Sequence, residues 1–186
     1  MDVTKVLEAD HRMVEKLFDQ IEKAEGADRQ PLIDELATAL RAHMELEETV
    51  VYPKMGAVTG EEAVEEGNKE HELARKALAD VVQLAPDGPG FGAALDAAKA
   101  GVQHHVEDEE GEVFPKLRKN GTQILDEIAT PFMHKRNELG MPIDVDALAA
   151  AATKDELLQE AKSAGVDGAS SMTKNQLAEA LVSNMT

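Results

Sequence analysis

The sequence predicts an all-α fold: an up-down-up-down four-helix bundle with a short fifth helix and a small C-terminal helical module. Apolar residues recur at steps of three and four along almost the whole chain, and no segment alternates convincingly as a β-strand. Short connections separate the four longest periodic segments, which favours antiparallel neighbours. Helices are expected over about residues 3–24, 28–52, 61–84, 91–113 and 122–138.

Prolines and glycines set the expected ends of these helices. Asp28 and Pro31 give a start signal for the second helix, and Pro53 is expected to end it. Residues 85–90, with the sequence Ala-Pro-Asp-Gly-Pro-Gly, are expected to form a loop before the fourth helix. Pro115 is expected to close that fourth helix as Pro53 closes the second.

An internal repeat relates the two halves of the predicted bundle. Residues 43–54 match residues 105–116, which lie 62 positions later, and both copies begin with His-x-x-x-Glu-Glu. A second match, Asp10-His11 with Glu70-His71, lies at an offset of 60 positions. The bundle is therefore predicted to consist of two related helical hairpins, each with one separate histidine and one His-x-x-x-Glu motif.

The composition excludes several classes of function. Of the 186 residues 37 are acidic and 19 basic, and the net charge of −18 disfavours binding to nucleic acid or to anionic lipid. Cysteine is absent, which excludes disulfides, thiolate metal sites and cysteine nucleophiles. The sequence shows neither an apolar stretch long enough for a membrane span nor the apolar region of a signal peptide. We expect a cytoplasmic protein with no membrane partner.

Six ionisable residues fall on the apolar stripes that the four long helices would turn inward. Each stripe carries one histidine, and the second and fourth stripes add a glutamate four residues later. These residues are His11, His43, Glu47, His71, His105 and Glu109. A single histidine on such a stripe is most often an ordinary core residue. Four histidines with two carboxylates need cations, because no lysine or arginine shares the stripes near them.

The spacing and chemistry of these six residues suit two metal ions. Residues i and i+4 lie about 6 Å apart along a helix, so a His-x-x-x-Glu pair can converge on one ion. Imidazole and carboxylate ligands without thiolate suit iron, manganese or zinc. Six ligands are too many for one tetrahedral zinc ion but suit two ions bridged by carboxylates. One such motif would be weak evidence, whereas two copies are strong evidence.

The order of these motifs resembles that of the hemerythrin-like HHE cation-binding domains, over about residues 1–140. The resemblance implies a four-helix bundle that holds a non-haem di-iron centre, with Glu47 and Glu109 bridging the two iron ions. Members of the family bind dioxygen or nitric oxide, turn over peroxide, or handle iron. The ferritin-like di-iron proteins use Glu-x-x-His instead and fit this sequence poorly.

One position departs from the oxygen-carrying members of that family. Those proteins have a further histidine four residues after the first histidine of the third helix, where this chain has Arg75. The set of four histidines and two glutamates is closer to bacterial members associated with oxidative and nitrosative stress. The resemblance therefore implies a reaction with peroxide, nitric oxide or dioxygen rather than reversible oxygen storage.

Four other ionisable side chains are expected outside the site. His104 is turned about 100° from His105 around its helix and is expected at the surface. His134 is expected to be a capping or surface residue. Glu48 and Glu110 are turned about 140° from the ligand face, so a solvated charged face is expected. They would contact the ligands only if the helix is unwound there.

Tyr52 is the only tyrosine and stands where the second copy of the repeat has Phe114. In the simpler interpretation both rings close the core, because Tyr52 lies about 140° around a regular helix from Glu47. The residue before a proline, however, is driven out of helical geometry. A displaced ring could then place its hydroxyl on one iron ion, which makes Tyr52 an additional candidate ligand.

The composition changes near the end of the bundle, so we expect two domains, residues 1–141 and residues 142–186. Residues 147–152 are expected to form an alanine-rich joint, and capped helices are expected to start at Thr153 and Thr173. This C-terminal module resembles the helix-extended-helix domain at the N-terminus of the terminator Rho and related SAP-like modules. Its net charge of −4 makes a protein partner a better expectation than nucleic acid.

Two functions of different classes remain open. The bundle could be an enzyme that consumes peroxide or nitric oxide at two iron ions. It could instead be a sensor that binds dioxygen or nitric oxide, or an iron-handling protein without turnover. Manganese or zinc in place of iron also stays open. The stripes offer no obvious free acid or base beyond the ligands, which weakens the case for an enzyme.

Overall fold

The computed structural model describes residues 1–184, and over these residues the chain forms helices and no strand. The helices in chain order are α1 (Thr4–Lys23), α2 (Arg29–Leu46), α3 (Tyr52–Thr59), α4 (Glu61–Gln83), α5 (Phe91–Asp108), α6 (Phe114–Asn120), α7 (Thr122–Glu138), α8 (Val145–Ala151), α9 (Lys154–Ser163) and α10 (Lys174–Asn184). In addition, Gly26–Asp28 and Ala169–Ser171 each form a single turn of 3₁₀ helix. The predicted all-α class is therefore confirmed.

Two π-helical segments join the longer helices to the shorter helices that follow them. Glu47–Val51 connects α2 to α3, and Glu109–Val113 connects α5 to α6. Each segment begins at the glutamate of a His-x-x-x-Glu motif. Since a π turn holds more residues than an α turn, it changes the direction in which every later side chain points.

The expectation that Pro53 and Pro115 end their helices is wrong. Each proline lies in the first turn of the next helix, α3 or α6, where its missing N–H group is not needed. The residues before the prolines stay helical, with φ −57° and ψ −40° at Tyr52 and φ −64° and ψ −41° at Phe114. The chain therefore continues as a helix beyond both motifs.

Two apolar clusters form the core. One cluster lies among α1, α2, α4 and α5 and includes Val14, Leu40 and Val102. The other includes Leu7 and Leu46 and extends to the C-terminal helices. Along α1 and α2 the histidines stand between members of the two clusters, so the polar residues interrupt an otherwise apolar interior.

The C-terminal helices pack against the bundle. Leu148, Leu157 and Leu177 belong to the same apolar cluster as Leu7, and the N–H of Asp2 donates a hydrogen bond to the carbonyl of Ala151 at 2.7 Å. Within the alanine-rich joint expected at residues 147–152, the chain is helical as far as Ala151, because alanine favours helix and α8 buries its apolar side. The division into two domains stays a prediction.

The predicted helix starts in this module are confirmed. Thr153 and Glu156 form a reciprocal capping box at the start of α9, with hydrogen bonds of 3.2 and 2.7 Å. Thr173 and Gln176 make the equivalent pair before α10. Within the described part of the chain, no helix combines the length and the apolar character that a membrane crossing requires.

Candidate metal centre

All six residues predicted on the inward stripes are buried and lie together. They come from four helices and the two π segments, and none is more than 6% exposed. The six are His11 on α1, His43 on α2, Glu47, His71 on α4, His105 on α5, and Glu109. Helical periodicity therefore placed each of them on the correct side of its helix.

The histidines form two pairs, each with its Nε2 atoms facing. The Nε2 atoms of His11 and His43 are 3.2 Å apart, and those of His71 and His105 are 3.1 Å apart. Two imidazoles that bind one metal ion at about 2.1 Å, with about a right angle between the bonds, have nitrogens about 3 Å apart. Each pair is therefore spaced to hold one ion.

The two glutamates lie between these pairs. Oε2 of Glu47 is 3.1 Å from Nε2 of His43 in one pair and 3.3 Å from Nε2 of His71 in the other. Oε2 of Glu109 is 3.4 Å from Nε2 of His11 and 3.6 Å from Nε2 of His105. Each carboxylate can therefore reach both of the positions that the histidine pairs define.

The carboxylate oxygens lack the hydrogen bonds that burial normally requires. Both oxygens of Glu47 and Oε2 of Glu109 are buried without a hydrogen-bond partner among the described residues. A buried unsatisfied carboxylate is destabilising by several kcal/mol. Oxygens close to several nitrogens but bonded to none suit a shared cation, so the donor set fits a pair of metal ions.

The electrostatics of the centre also favour cations. Burial lowers the pKa of the His43 imidazole, but the charges of Glu47 and Asp10 outweigh it and raise that pKa to about 10. The charged form of the imidazole is therefore favoured when only protons are available. Metal ions that bind here would have to displace such protons.

Carboxylates outside the centre orient three of the histidines through Nδ1. His11 pairs with Glu110 at 2.8 Å, and His71 pairs with Glu48 at 2.9 Å. His105 pairs with Glu70 at 2.8 Å. A carboxylate at Nδ1 holds the proton there and turns the Nε2 lone pair toward the centre, as is usual for histidines that bind metals.

The expectation that Glu48 and Glu110 form a solvated face is wrong. Their side chains are only 25% exposed, and besides the histidines they contact Arg75 and Arg12 respectively. Both residues lie inside π segments, where the rotation per residue differs from that of the regular helix used for the prediction. The unwinding that would bring them to the ligands is therefore present.

The π segment also directs Tyr52 into the centre. Its hydroxyl lies 3.2 Å from Nε2 of His71 and donates a hydrogen bond to Oε1 of Glu109 at 3.3 Å. The expected departure from helical geometry before Pro53 does not occur, and the changed helical phase explains the position instead. Burial, followed by the charges of Glu47 and Glu109, raises the pKa of Tyr52, so its hydroxyl stays protonated without metal.

Gly67 on α4 provides the room for this ring. A Cβ atom at Gly67 would lie 2.7 Å from the hydroxyl oxygen of Tyr52 and 2.9 Å from its Cζ. In the second copy of the repeat, Phe114 stacks on His11 with ring centroids 5.9 Å apart, while Tyr52 stacks on His71 at 5.2 Å. The two aromatic residues therefore occupy related positions and differ by one hydroxyl.

A buried ion pair that was not predicted from the sequence lies beside the centre. Arg136 on α7 is fully buried, and both of its terminal nitrogens donate to the carboxylate of Asp10. Oδ2 of Asp10 lies 3.6 Å from Nδ1 of His43. The signal was present, because Arg136 continues the inward stripe of α7 four residues after Phe132.

His104 and His134 are exposed, as predicted. Neither side chain belongs to the buried groups of residues that could hold a metal ion. Those groups are His11, His43, Glu47 and Glu109 in one set, and Glu47, His71 and His105 in the other.

A small cavity lies against the four histidines. It has a volume of about 20 Å³, and its remaining walls are apolar and come from α1, α2, α4 and α5. Such a volume holds about one water-sized molecule. Only a very small ligand could therefore approach the histidines from this side.

Comparisons with known proteins agree with this site. The family model described as the hemerythrin HHE cation binding domain matches residues 2–117. A protein named DNA nickase from Nostoc sp. (strain PCC 7120) is 26% identical over 141 residues, which cover 75% of this chain and 40% of that protein. An uncharacterized hemerythrin-like protein of Schizosaccharomyces pombe is 30% identical over 115 residues, or 60% of this chain and 57% of that protein.

This chain therefore spans only part of the length of these curated relatives. No solved structure matches. The match to the family model covers the two His-x-x-x-Glu motifs and both separate histidines, the residues that the fold gathers into one buried cluster. The chain belongs to the hemerythrin HHE cation-binding domain family.

Proposed function

We propose that this chain is a non-haem di-iron protein whose four-helix, up-down-up-down bundle reacts with peroxide, nitric oxide or dioxygen in a cytoplasmic stress response. The proposed ligands share buried positions and inward-facing donor atoms. They are His11, His43, Glu47, His71, His105 and Glu109. The observation that carries the proposal is the pair of carboxylates between two facing histidine pairs, since three of their four oxygens are buried without a hydrogen-bond partner among the described residues.

Two bound iron ions would supply redox chemistry toward such small oxidants. The protein itself positions the metal ligands and keeps larger molecules away from them. Glu48 and Glu110 hold protons at Nδ1 of His71 and His11, which keeps the opposite nitrogens free to bind. The apolar walls of the small cavity exclude larger molecules. Its volume favours diatomic molecules and hydrogen peroxide over organic substrates.

Metal content and anaerobic titration test the proposal. Purified protein should bind two iron ions per chain, and its absorption spectrum should change on addition of peroxide, nitric oxide or dioxygen. Binding of manganese or zinc in preference to iron would redirect the proposal to another metal. A spectrum that none of the three oxidants changes would contradict it.

Turnover separates an enzyme from a sensor or an iron-handling protein. Hydrogen peroxide added to the iron-loaded protein should produce rapid and sustained oxygen evolution if the bundle is an enzyme. A single spectral change without turnover would support the sensor instead.

Tyr52 is proposed as a further iron ligand. Its hydroxyl already lies within 3.3 Å of two proposed ligands, and a ferric ion would favour the phenolate form. The oxidised protein should then show a visible phenolate-to-iron charge-transfer band. The band should disappear in Tyr52→Phe while iron content stays the same. An unchanged spectrum would show that Tyr52 packs in the core and does not bind iron.

DNA strand cleavage is a second candidate, favoured by the similarity to the protein named DNA nickase. The net charge of −18 opposes it, because phosphate contacts need basic side chains. Supercoiled plasmid incubated with the metal-loaded protein tests it directly. Open-circle product that is lost in Glu109→Ala would support cleavage, whereas plasmid that stays intact would exclude this candidate function.

The C-terminal module, residues 142–186, is proposed to contact a protein partner and to be related to the Rho and SAP-like modules. Its net charge of −4 favours protein over nucleic acid. Binding of the chain to a labelled oligonucleotide at low salt would contradict this assignment.

A further inference from the structure

Glu70 on α4 has one buried carboxylate oxygen that accepts no hydrogen bond from the described residues. Its side chain is 9% exposed, and Oε2 accepts a hydrogen bond from Nδ1 of His105 at 2.8 Å. Oε1 is buried and has no hydrogen-bond partner within residues 1–184. A buried acceptor without a partner is destabilising by about 1–3 kcal/mol, and by more when it is charged.

The repeat shows what fills the corresponding place in the first half. Asp10 precedes His11 as Glu70 precedes His71, and each carboxylate faces Nδ1 of a histidine from the following helix. Asp10 is neutralised by Arg136. Over the described residues no lysine or arginine pairs with Glu70, so the second half lacks the cation that the first half has.

Two side chains of α5 surround the open oxygen. Nε2 of His104 lies 3.6 Å from Oε1 of Glu70 and 4.0 Å from Oδ2 of Asp108. Ligand atoms of all three residues fall within 4.8 Å of one another, and the side chains of His104 and Asp108 are 66% and 52% exposed. The group is thus open to solvent on one side and backed by a buried carboxylate on the other.

Among the described residues, the first half has no such group. The repeat aligns His104 with Ala42 and Asp108 with Leu46. Leu46 belongs to the core, the half-buried Ala42 packs against it, and α7 packs against their helix. Only the second half therefore presents an imidazole and a carboxylate where its buried acid lacks a cation.

We propose that Glu70, His104 and Asp108 form a surface site for a divalent transition-metal ion, separate from the buried centre. One imidazole and two carboxylates suit Mn²⁺, Fe²⁺ or Zn²⁺. Bonds of about 2.0–2.2 Å place two ligand atoms up to about 4.2 Å apart, so small side-chain adjustments close the site. The strongly negative chain raises the local concentration of cations.

The site is joined to the buried centre through one carboxylate. Glu70 would bind the surface ion through Oε1 while Oε2 still accepts the proton of His105. A cation on Glu70 withdraws electron density from that carboxylate and weakens it as an acceptor. Occupancy of the surface site should therefore alter the His105 ring as well.

Zinc binding followed by equilibrium dialysis and by histidine NMR tests this site. Protein that has first been saturated at its tight sites with Zn²⁺ should bind one further Zn²⁺ more weakly. The ring resonances of His104 should shift during that step, with a smaller shift at His105. His104→Ala and Asp108→Asn should each weaken the additional binding about tenfold or more.

Glu107→Gln is the matched control, because Glu107 lies between these positions on the same helix but outside the group. It should leave the additional binding within about twofold of the unchanged protein. His134→Ala, which removes the other exposed imidazole, should also have no effect. Additional binding that is absent, or that Glu107→Gln weakens as much as His104→Ala, would overturn the proposal.

The number of tightly held zinc ions distinguishes this inference from the proposed function. Fewer than two tight ions would contradict the di-metal centre, while the shift at His104 would still report the surface site. Two tightly bound ions without a shift of the His104 resonances would support the di-metal centre and overturn only the proposed surface site.

Discussion

The two halves of the repeat bring matching side chains to one centre but differ in the residues that contact those side chains. In the first half, Asp10 is neutralised by the buried Arg136, and Tyr52 adds a hydroxyl. In the second half, Glu70 has no such partner within the described residues, and Phe114 has no hydroxyl. The shared motif therefore accounts for holding metal, and the differences around it are where specific chemistry would arise.

The largest expected effect comes from removing either central carboxylate. If the centre holds two iron ions as proposed, Glu109→Ala should lose both, because each carboxylate lies between the two histidine pairs, and Glu47→Ala should do the same. Iron content after gel filtration measures this, with Glu107→Ala as a control that should retain both ions. Loss of only one ion in either variant would show that the halves work separately.

Breaking the ion pair behind the first half should reduce stability by about 3–5 kcal/mol. Arg136→Met leaves the carboxylate of Asp10 buried without its arginine, and urea unfolding measures the change. The double variant with Asp10→Asn should recover part of the loss, since no charge then remains. Glu70→Gln should have a much smaller effect, and an equal loss there would mean that the two halves do not differ in this way.

Filling the space beside the Tyr52 ring should have the next largest effect on stability. Gly67→Ala places a Cβ atom 2.7 Å from the hydroxyl of Tyr52. Overpacking of this kind reduces stability by about 1–3 kcal/mol and should displace the ring from the centre.

Gly101→Ala on α5 is the control for this substitution, because a Cβ atom there meets no neighbouring atom within 4 Å. Alanine at such a helical position should increase stability by about 0.5–1 kcal/mol. The two variants should therefore shift the urea midpoint in opposite directions. Equal shifts would show that Tyr52 does not need the space at Gly67.

The sequence predicts the centre well because helical periodicity is most regular where its residues lie. His11, His43, His71 and His105 all occur in regular α-helix, so steps of three and four residues place them correctly. Glu47 and Glu109 are the first residues of the π segments, and their phase is still that of the preceding helix.

Prediction fails immediately after these glutamates. A regular helical phase predicts a solvated face for Glu48 and Glu110, and the π segments change that phase without a recognisable sequence signal. The sequence makes Tyr52 a candidate ligand for a different reason, a departure from helical geometry before Pro53, which does not occur. Pro53 and Pro115 do not end the helical path, because a proline is compatible with the first turn of a new helix. The inward stripe of α7 marks Arg136 as a buried residue, but its pairing with Asp10 depends on where α7 packs, which the sequence does not show.

The most direct test of the central claim is X-ray absorption at the iron edge of the iron-loaded protein. Two ions held between shared carboxylates predict scattering from a second iron atom at no more than about 4 Å. Imidazole scattering should correspond to two histidines for each iron, as the two Nε2 pairs require. Iron atoms without a neighbouring iron, in protein that contains two ions per chain, would contradict the account.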